Sequence, residues 1–174
     1  MKLNPITITR ASHDNLAVIQ QIGRETFFET FAEANTEEDT KKYLAENFSN
    51  AKLTAELADP GSQFFIAWDG ENPVGYLKVN SGSAQTELQD AASMEIERIY
   101  VKNDYHGKKV GQLLYEKALE EAGLQQKKYL WLGVWEENPK AIRFYEKNGF
   151  VAFDKHIFKF GEDEQIDVMM KKML

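Results

Sequence analysis

In the second half of the chain, the sequence alternates twice between a strand pattern and a helix pattern. Met94–Val101 and Tyr129–Val134 are short apolar runs of strand length, whereas Val110–Ala122 carries its apolar residues at helical spacing. Asn138-Pro139 then supplies an N-cap and a first residue for a second helix. Strands that are joined by a crossover helix usually lie parallel in one sheet. The order therefore predicts an α/β fold with a βαβ unit at its centre.

The segments around this unit predict further strands and an early helical layer. Phe64–Trp68 and Val74–Val79 flank the turn sequence Asp69-Gly70-Glu71-Asn72, which is typical of a β-hairpin. The other predicted elements are strands at Ile6–Thr9, Phe150–Phe160 and Ile166–Met170, and helices from Leu16 to Phe31, after Thr36, and around Leu53 to Leu57. Together they predict a mixed sheet within a single domain that spans residues 1–174.

Composition excludes several kinds of chemistry. The 174 residues include no cysteine, which excludes thiol catalysis, disulfides and thiolate metal sites. His13, His106 and His156 are too widely separated to suggest a metal site, so we expect no metal. The net charge of −7 argues against a nucleic-acid partner. No apolar run reaches the length of a signal-peptide core or a membrane span, so we expect a cytoplasmic protein without membrane contact.

The segment from Glu95 to Leu114 combines a strand, a short basic loop and the start of a helix. The loop contains His106, Gly107, Lys108 and Lys109 and leads directly into Val110. A helix N-terminus presents unpaired backbone N–H groups and the positive end of the helix dipole, which suits a phosphate or pyrophosphate. Many strand–loop–helix junctions bind nothing, so this segment alone suggests an anion site without proving one.

Two segments taken together resemble the GCN5-related N-acetyltransferase (GNAT) superfamily. The loop resembles its acetyl-CoA motif, Gln/Arg-x-x-Gly-x-Gly/Ala, with His106, Lys109 and Gly111 at the three defined positions. The run from Asn138 to Phe150 matches the pattern Asn-x-x-Ala-x-x-x-Tyr-x-x-x-Gly-Phe. The resemblance implies a mixed, mostly antiparallel sheet, with a central splayed pair of parallel strands and flanking helices.

Further runs are similar to those of the PaiA-type polyamine N-acetyltransferases of bacteria. These runs are Glu25-Thr26-Phe27 to Phe31, Ser62-Gln63-Phe64-Phe65, Glu95 to Tyr100, Trp131 to Glu136 and Gly161 to Gln165. The resemblance implies a direct transfer of an acetyl group from acetyl-CoA to spermidine or spermine. It also implies a set of cofactor-binding residues: Arg98, Ile99, Tyr100, Val101, His106, Gly107, Lys108, Lys109, Val110, Gly111, Gln112, Asn138, Tyr145 and Lys147.

The chemistry of amine acetylation requires a base and an acid. A primary amine with a pKa of about 10.4 is protonated at pH 7, so a carboxylate must accept its proton before attack. Glu95 and Glu97 share one strand face unless a bulge intervenes, and we favour Glu97 slightly because it lies nearer the expected reaction centre. The alternative for both is a solvated face or an ion pair with Arg98 or a lysine. Tyr145 occupies the family's general-acid position, from which it would protonate the departing thiolate.

The acceptor site is the least constrained part of the prediction. Glu25, Glu29 and Glu33 recur at every fourth residue, which suggests one acidic helix face that could bind a polyamine, or a merely solvated surface. Trp131 and Trp135 are more typical of packing than of a cation cage. Alternative acceptors are a protein N-terminus, a lysine side chain or an aminoglycoside, and another alternative is a non-catalytic acyl-CoA-binding regulatory protein. A homodimer is compatible with the sequence.

Overall fold

The computed structural model describes residues 5–174 and contains one seven-stranded sheet in the order β1-β2-β3-β4-β5-β7-β6. The strands are β1 (Ile6–Arg10), β2 (Ser62–Asp69), β3 (Asn72–Ser81), β4 (Ser93–Val101), β5 (Tyr129–Trp135), β6 (Val151–Phe160) and β7 (Asp163–Met173). The helices are α1 (Leu16–Phe31), α2 (Glu37–Asn47), α3 (Asn50–Ala58), α4 (Val110–Leu124) and α5 (Pro139–Lys147). The element order and the β2–β3 hairpin agree with the sequence prediction.

The centre of the sheet is a parallel strand pair that separates along its length. β4 and β5 pair only from Ser93↔Tyr129 to Ile96↔Leu132, and every other pairing in the sheet is antiparallel. Beyond Ile96 the two strands diverge, so the remaining part of β4 has no partner on its β5 side. This geometry confirms the predicted mixed sheet with a splayed central pair.

A β-bulge lies where the two strands begin to diverge. Lys78 of β3 is opposite Arg98 but the next residue, Val79, is opposite Ile96, so Glu97 is an extra residue in β4. The bulge keeps Ile96 and Ile99 on the same side of the sheet, where both pack into the apolar core beside α4. Glu95, Glu97 and Arg98 all reach the opposite side. The prediction that the two glutamates share a face therefore holds despite the bulge.

Apolar side chains form one core on each side of the sheet. On the α4 side, Leu77, Met94 and Leu114 are completely buried. On the other side, Ile19 and Phe27 of α1 pack on strand residues, with the full cluster comprising Ile19, Ile22, Phe27, Phe31, Phe48, Leu53, Phe64, Ile66, Tyr76 and Phe160. The two cores pack against the strands on both sides of the gap between β4 and β5.

Side-chain caps determine where several helices begin. The hydroxyl of Thr36 accepts a hydrogen bond from the backbone N–H of Asp39 at 3.1 Å, and Asn138 caps α5 through the N–H of Ala141 at 3.2 Å. The predicted helix near Leu53 begins earlier, at Asn50, because Ser49 caps it. No helix among residues 5–174 is both long enough and apolar enough to cross a membrane.

Candidate active site

A cavity of about 1100 Å³ passes through the sheet where β4 and β5 diverge. On the α4 side it is lined by the first turn of α4 and by Tyr145 of α5. On the other side it is lined by aromatic residues of α1 and α2 and by residues of β6 and β7. We call these regions the cofactor end and the acceptor end. Glu95 and Glu97 line the cavity between them.

The cofactor end is built around the N-terminus of α4. Gly107 and Lys109 both have left-handed backbones, with φ of 78° and 66°, which turn the chain sharply into the helix. Among the described residues, none of the six backbone N–H groups from Gly107 to Gln112 donates a hydrogen bond to a protein group. Successive free donors at the positive end of a helix dipole form an anion site.

The space beside Gly111 supports the same assignment. A Cβ placed on Gly111 would lie 3.9 Å from Val101 Cγ2 and 4.0 Å from Phe144 Cζ, which are ordinary contact distances. Packing within the protein therefore does not require glycine here. A close approach of a ligand to the helix backbone does explain it, so the residues at this position fit the pyrophosphate of acetyl-CoA.

Most of the predicted cofactor residues line the cavity, and Lys108 is the exception. Its Nζ lies 5.0 Å from the centre of the Tyr105 ring, outside the cavity lining. His106 faces the carbonyl of Val101 with Nε2 at 2.8 Å, and Lys140 Nζ lies 3.3 Å from its Nδ1. Lys140 is therefore a cation of this end that the sequence prediction did not include, whereas Lys109 and Lys147 line it as expected.

Tyr145 of α5 lines the cofactor end of the cavity. It is 8% exposed and packs edge-on against Phe144 and Phe150. Its hydroxyl has no hydrogen-bond partner within the described chain, and burial raises the pKa of this phenol well above its ordinary value. A phenol that keeps its proton and has no protein acceptor is available to donate to a group in the cavity.

Glu97 is held within a network of ion pairs. Its Oε2 lies 2.8 Å from Lys78 Nζ and 3.1 Å from Arg98 Nε, and its Oε1 accepts a hydrogen bond from Asn80 at 3.3 Å. Glu56 extends the network through two 2.9 Å hydrogen bonds from Arg98. Burial opposes ionisation of Glu97, but the two cations outweigh it and keep its pKa below the usual range. Glu97 is therefore ion-paired with Arg98 and a lysine, which was the alternative to a catalytic role, and its lowered pKa makes it a weak base.

Glu95 has a different environment on the same strand. It is 3% exposed, and its carboxylate accepts hydrogen bonds from the Thr86 hydroxyl at 2.5 Å, the Thr86 backbone N–H at 2.8 Å and Asn80 at 3.0 Å. Burial raises its pKa, although the hydrogen bonds from Thr86 and Asn80 oppose the shift. With no cation paired to it, Glu95 is the more basic of the two carboxylates.

The predicted acidic helix face does not line the cavity. Glu25 pairs with Lys102 at 3.1 Å, and both carboxylate oxygens of Glu29 accept from the backbone N–H of Asn103 at 3.3 Å. Glu33 lies in a 3-10 turn after α1, so the prediction that it shares a helix face with the others is wrong. Because α1 ends at Phe31, the four-residue spacing does not continue to Glu33. Glu25 and Glu29 hold the segment after β4 against α1.

Sequence reasoning missed the residues that the loop between β3 and β4 brings to the cavity. Gln85 anchors this loop by accepting hydrogen bonds at 2.7 Å from Ser93 and from the indole of Trp131. The anchor positions Thr86 against Glu95 and places Glu87 in the cavity lining. The indole contact also agrees with the prediction that Trp131 serves packing.

Comparisons with known proteins agree with this geometry. The family model described as Acetyltransferase (GNAT) family matches residues 22–150, which is more than half of the chain. This chain belongs to the GNAT family. It is an acetyl-CoA-dependent N-acetyltransferase, so the predicted fold, co-substrate and reaction class are confirmed.

Its relatives include proteins with and without an assigned substrate. An uncharacterised N-acetyltransferase from Lactobacillus delbrueckii subsp. lactis is 41% identical over 170 residues, covering 97% of this chain and 98% of the relative. The spermidine N(1)-acetyltransferase of Thermoplasma acidophilum is 27% identical over 156 residues, covering 86% and 90%. The structure of the PaiA N-acetyltransferase from Thermoplasma acidophilum in complex with coenzyme A superposes with a TM-score of 0.80, at 25% identity, covering 98% of this chain and 99% of that chain.

Proposed function

We propose that this acetyltransferase transfers the acetyl group directly to a primary amine of a polyamine such as spermidine or spermine. One observation carries the proposal: a single cavity joins a cluster of free backbone N–H donors to a buried carboxylate, an unpaired phenol and an acidic acceptor end. A cytoplasmic location and a small-molecule acceptor are parts of the same proposal.

Acetyl-CoA supplies an activated acyl group as a thioester when it is bound. The backbone N–H groups from Gly107 to Gln112 would hold its pyrophosphate, with Lys109, Lys140 and Lys147 providing positive charge. The unpaired stretch of β4 from Arg98 to Val101 offers main-chain groups to the pantetheine arm, and Asn138 lines the same passage. These residues bind and orient the thioester.

Glu95 is the base in this proposal. It takes a proton from the acceptor ammonium, directly or through a water molecule, and leaves a neutral amine that forms the new carbon–nitrogen bond. The Thr86 hydroxyl donates to the ionised carboxylate and can accept from the protonated one, so the proton can reside on Glu95 without breaking that contact. We prefer Glu95 to Glu97 because Lys78 and Arg98 hold Glu97 in its ionised form.

Tyr145 is the acid in this proposal. As the carbon–sulfur bond breaks, the phenol gives its proton to the leaving sulfur, which departs as a thiol. The nitrogen loses its second proton as the amide forms, and this proton replaces the one that Tyr145 gave to the sulfur, directly or through water. Glu95 then releases its proton to water, so the complete reaction liberates one proton. No residue of the chain needs to carry the acetyl group.

The acceptor end favours a cationic amine over a neutral one. Besides Glu95 and Glu97, the cavity is lined by Glu87 and Asp167, while Tyr43 and Phe158 contribute aromatic surface. Carboxylates combined with aromatic rings are a suitable environment for ammonium groups. The relative from Thermoplasma acidophilum whose name assigns it spermidine supports the same class of acceptor.

A turnover assay across several acceptor classes tests the proposal. We expect acetyl-CoA consumption with spermidine and spermine to exceed that with aminoglycosides and with peptides bearing a free N-terminus or a lysine. A hundredfold preference for an aminoglycoside or a peptide would overturn the polyamine assignment. Binding of acetyl-CoA without turnover of any acceptor would support a regulatory acyl-CoA-binding protein instead.

A further inference from the structure

A cluster of three titratable side chains, which has no role in the proposed reaction, lines the acceptor end of the cavity. His156 of β6 lies between Glu87, from the loop before β4, and Asp167 of β7. Its Nδ1 contacts the Glu87 carboxylate, and its Nε2 lies 3.8 Å from Asp167 Oδ2. The three side chains are between 21% and 36% exposed. Two carboxylates therefore flank one imidazole at the wall of the cavity.

Strand register places Asp167 close to the start of the gap between β4 and β5. Trp135, Asp167 and His156 are directly opposite one another on β5, β7 and β6, so they form one row across the sheet. Asp167 Oδ2 lies 3.5 Å from where a Cβ on Gly133 would be. Gly133 is the first residue of β5 beyond the last β4–β5 pair. Asp167 thus lies beside the part of the cavity where the acceptor must enter.

The environment of Asp167 favours a cation beside it. Burial raises the pKa of its carboxyl group, His156 opposes this shift and Glu87 adds to it. An ionised carboxylate under these conditions gains stability when a positive group approaches it. His156 cannot satisfy both carboxylates equally, since it contacts Glu87 much more closely than Asp167.

The hydroxyl of Tyr76 is a further polar group that is available to a ligand in this cavity. Tyr76 is 1% exposed, lines the cavity and has no hydrogen-bond partner for its hydroxyl in the described part of the chain. Among the described residues, only Asp69 Oδ1 is a fully buried side-chain oxygen or nitrogen without a partner, so the Tyr76 hydroxyl is accessible from the cavity and can accept a hydrogen bond from a donor there. The N–H groups of an amine are such donors.

We propose that Asp167 and Glu87 bind the ammonium group of the acceptor that is not acetylated, on the side of these carboxylates that faces the cavity. This inference rests on the proposed function, because it assumes an acceptor with at least two amines. The second ammonium anchors the chain of the acceptor, and the free amine at its other end is thereby directed towards Glu95. Asp167 and Glu87 are therefore specificity-determining residues, and monoamines lack the contact that they provide.

Matched acceptors and matched variants test this inference. The acceptors are 1,4-diaminobutane, spermidine and butylamine, and the variants are Asp167→Asn and Glu87→Gln, with Asp163→Asn as the control. Asp163 begins the same strand but is exposed and does not line the cavity. We expect Asp167→Asn to raise the KM of both polyamines by about 10-fold or more, as for a lost hydrogen bond to a charged group, and that of butylamine less than twofold. Asp163→Asn should change neither.

Equal effects on butylamine and on the two polyamines would overturn the inference, because they would indicate a general change in the cavity. Circular dichroism and thermal melting check that each variant folds, and Glu87→Gln provides a second variant on an exposed loop. A thermal shift with 1,4-diaminobutane measures binding without turnover. If the wild-type protein acetylates no amine, the proposed function is wrong. The inference is then tested by binding alone: it holds if Asp167→Asn abolishes the thermal shift with 1,4-diaminobutane, and it is wrong if the shift remains.

Discussion

At the scale of single residues, two glutamates on one strand have opposite electrostatic environments. We expect Glu95→Gln to lower kcat by about 10²- to 10⁴-fold, the range for a lost general base, without lowering the melting temperature. Burial raises the pKa of Glu95, so the folded protein disfavours its ionised form and loses no stability when the charge is removed. Steady-state kinetics and thermal melting measure the two effects.

Glu97→Gln is the matched control for this prediction. It removes one of the two carboxylates that Lys78 and Arg98 share and leaves Glu56 as the other, so we expect a loss of about 1–3 kcal/mol in the free energy of unfolding. The pKa of Glu97 is lowered, so this contribution is complete at neutral pH and is lost as the pH falls through that lowered pKa. A larger loss of kcat for Glu97→Gln than for Glu95→Gln, in a folded variant, would reverse the assignment of the base.

Tyr145→Phe keeps the ring and removes only the hydroxyl. We expect kcat to fall by about 10- to 1000-fold while the affinity for acetyl-CoA changes little, because the phenol acts on the leaving sulfur and not on cofactor binding. Stability should not decrease, since the hydroxyl has no protein partner to lose. Wild-type turnover in this variant would show that the thiolate leaves without the phenol.

At the scale of elements, the start of α4 carries conformational strain. Lys109 has a φ of 66°, a region that disfavours residues other than glycine, and the family motif has glycine at this position. Lys109→Gly relieves the strain, but glycine also gives the unfolded chain more conformational freedom, which offsets part of the gain. We therefore expect a net stabilisation of about 0.5–1 kcal/mol in the free energy of unfolding. Loss of the lysine charge should weaken acetyl-CoA binding at the same time.

The neighbouring lysine provides the control for Lys109→Gly. Lys108 does not have a positive φ and does not line the cavity, so Lys108→Gly should not stabilise the protein and should affect acetyl-CoA binding less. Chemical unfolding and titration with acetyl-CoA compare the two variants. Equal stability changes for both would mean that the left-handed backbone at Lys109 carries no strain.

The elements themselves were largely predictable because their signals are local. The turn Asp69-Gly70-Glu71-Asn72, the cap at Asn138 and the helical spacing after Val110 each lie within a few residues, and each gave the correct element. The sequence allows a bulge in β4 but does not indicate its position at Glu97, because that position depends on the register with β3. The predicted end of α1 at Phe31 is correct, whereas the placement of Glu33 on the same helix face is wrong, because the acidic spacing resembles a continuing helix.

At the scale of the whole molecule, the two ends of the cavity differ in how far the sequence reveals them. The cofactor end is nearly contiguous, since a loop and a helix start supply most of its groups, and the motif identifies them. The acceptor end combines Tyr43 of α2, Tyr76 of β3, Glu87 of a loop and Asp167 of β7. Only tertiary structure brings such distant residues together, so sequence spacing suggested an acidic helix face instead.

The charge distribution of the whole protein leads to a final prediction about salt. The chain has a net charge of −7, and carboxylates line the acceptor end of the cavity, so the protein attracts a polycation. Salt screens this attraction, and at physiological ionic strength the screening length is about 8 Å. We expect the KM of spermidine to rise several-fold between 50 and 500 mM sodium chloride, by this screening. Butylamine has one charge and should show a weaker dependence. Parallel slopes for the two amines would mean that salt acts on the enzyme and not on the attraction between charges.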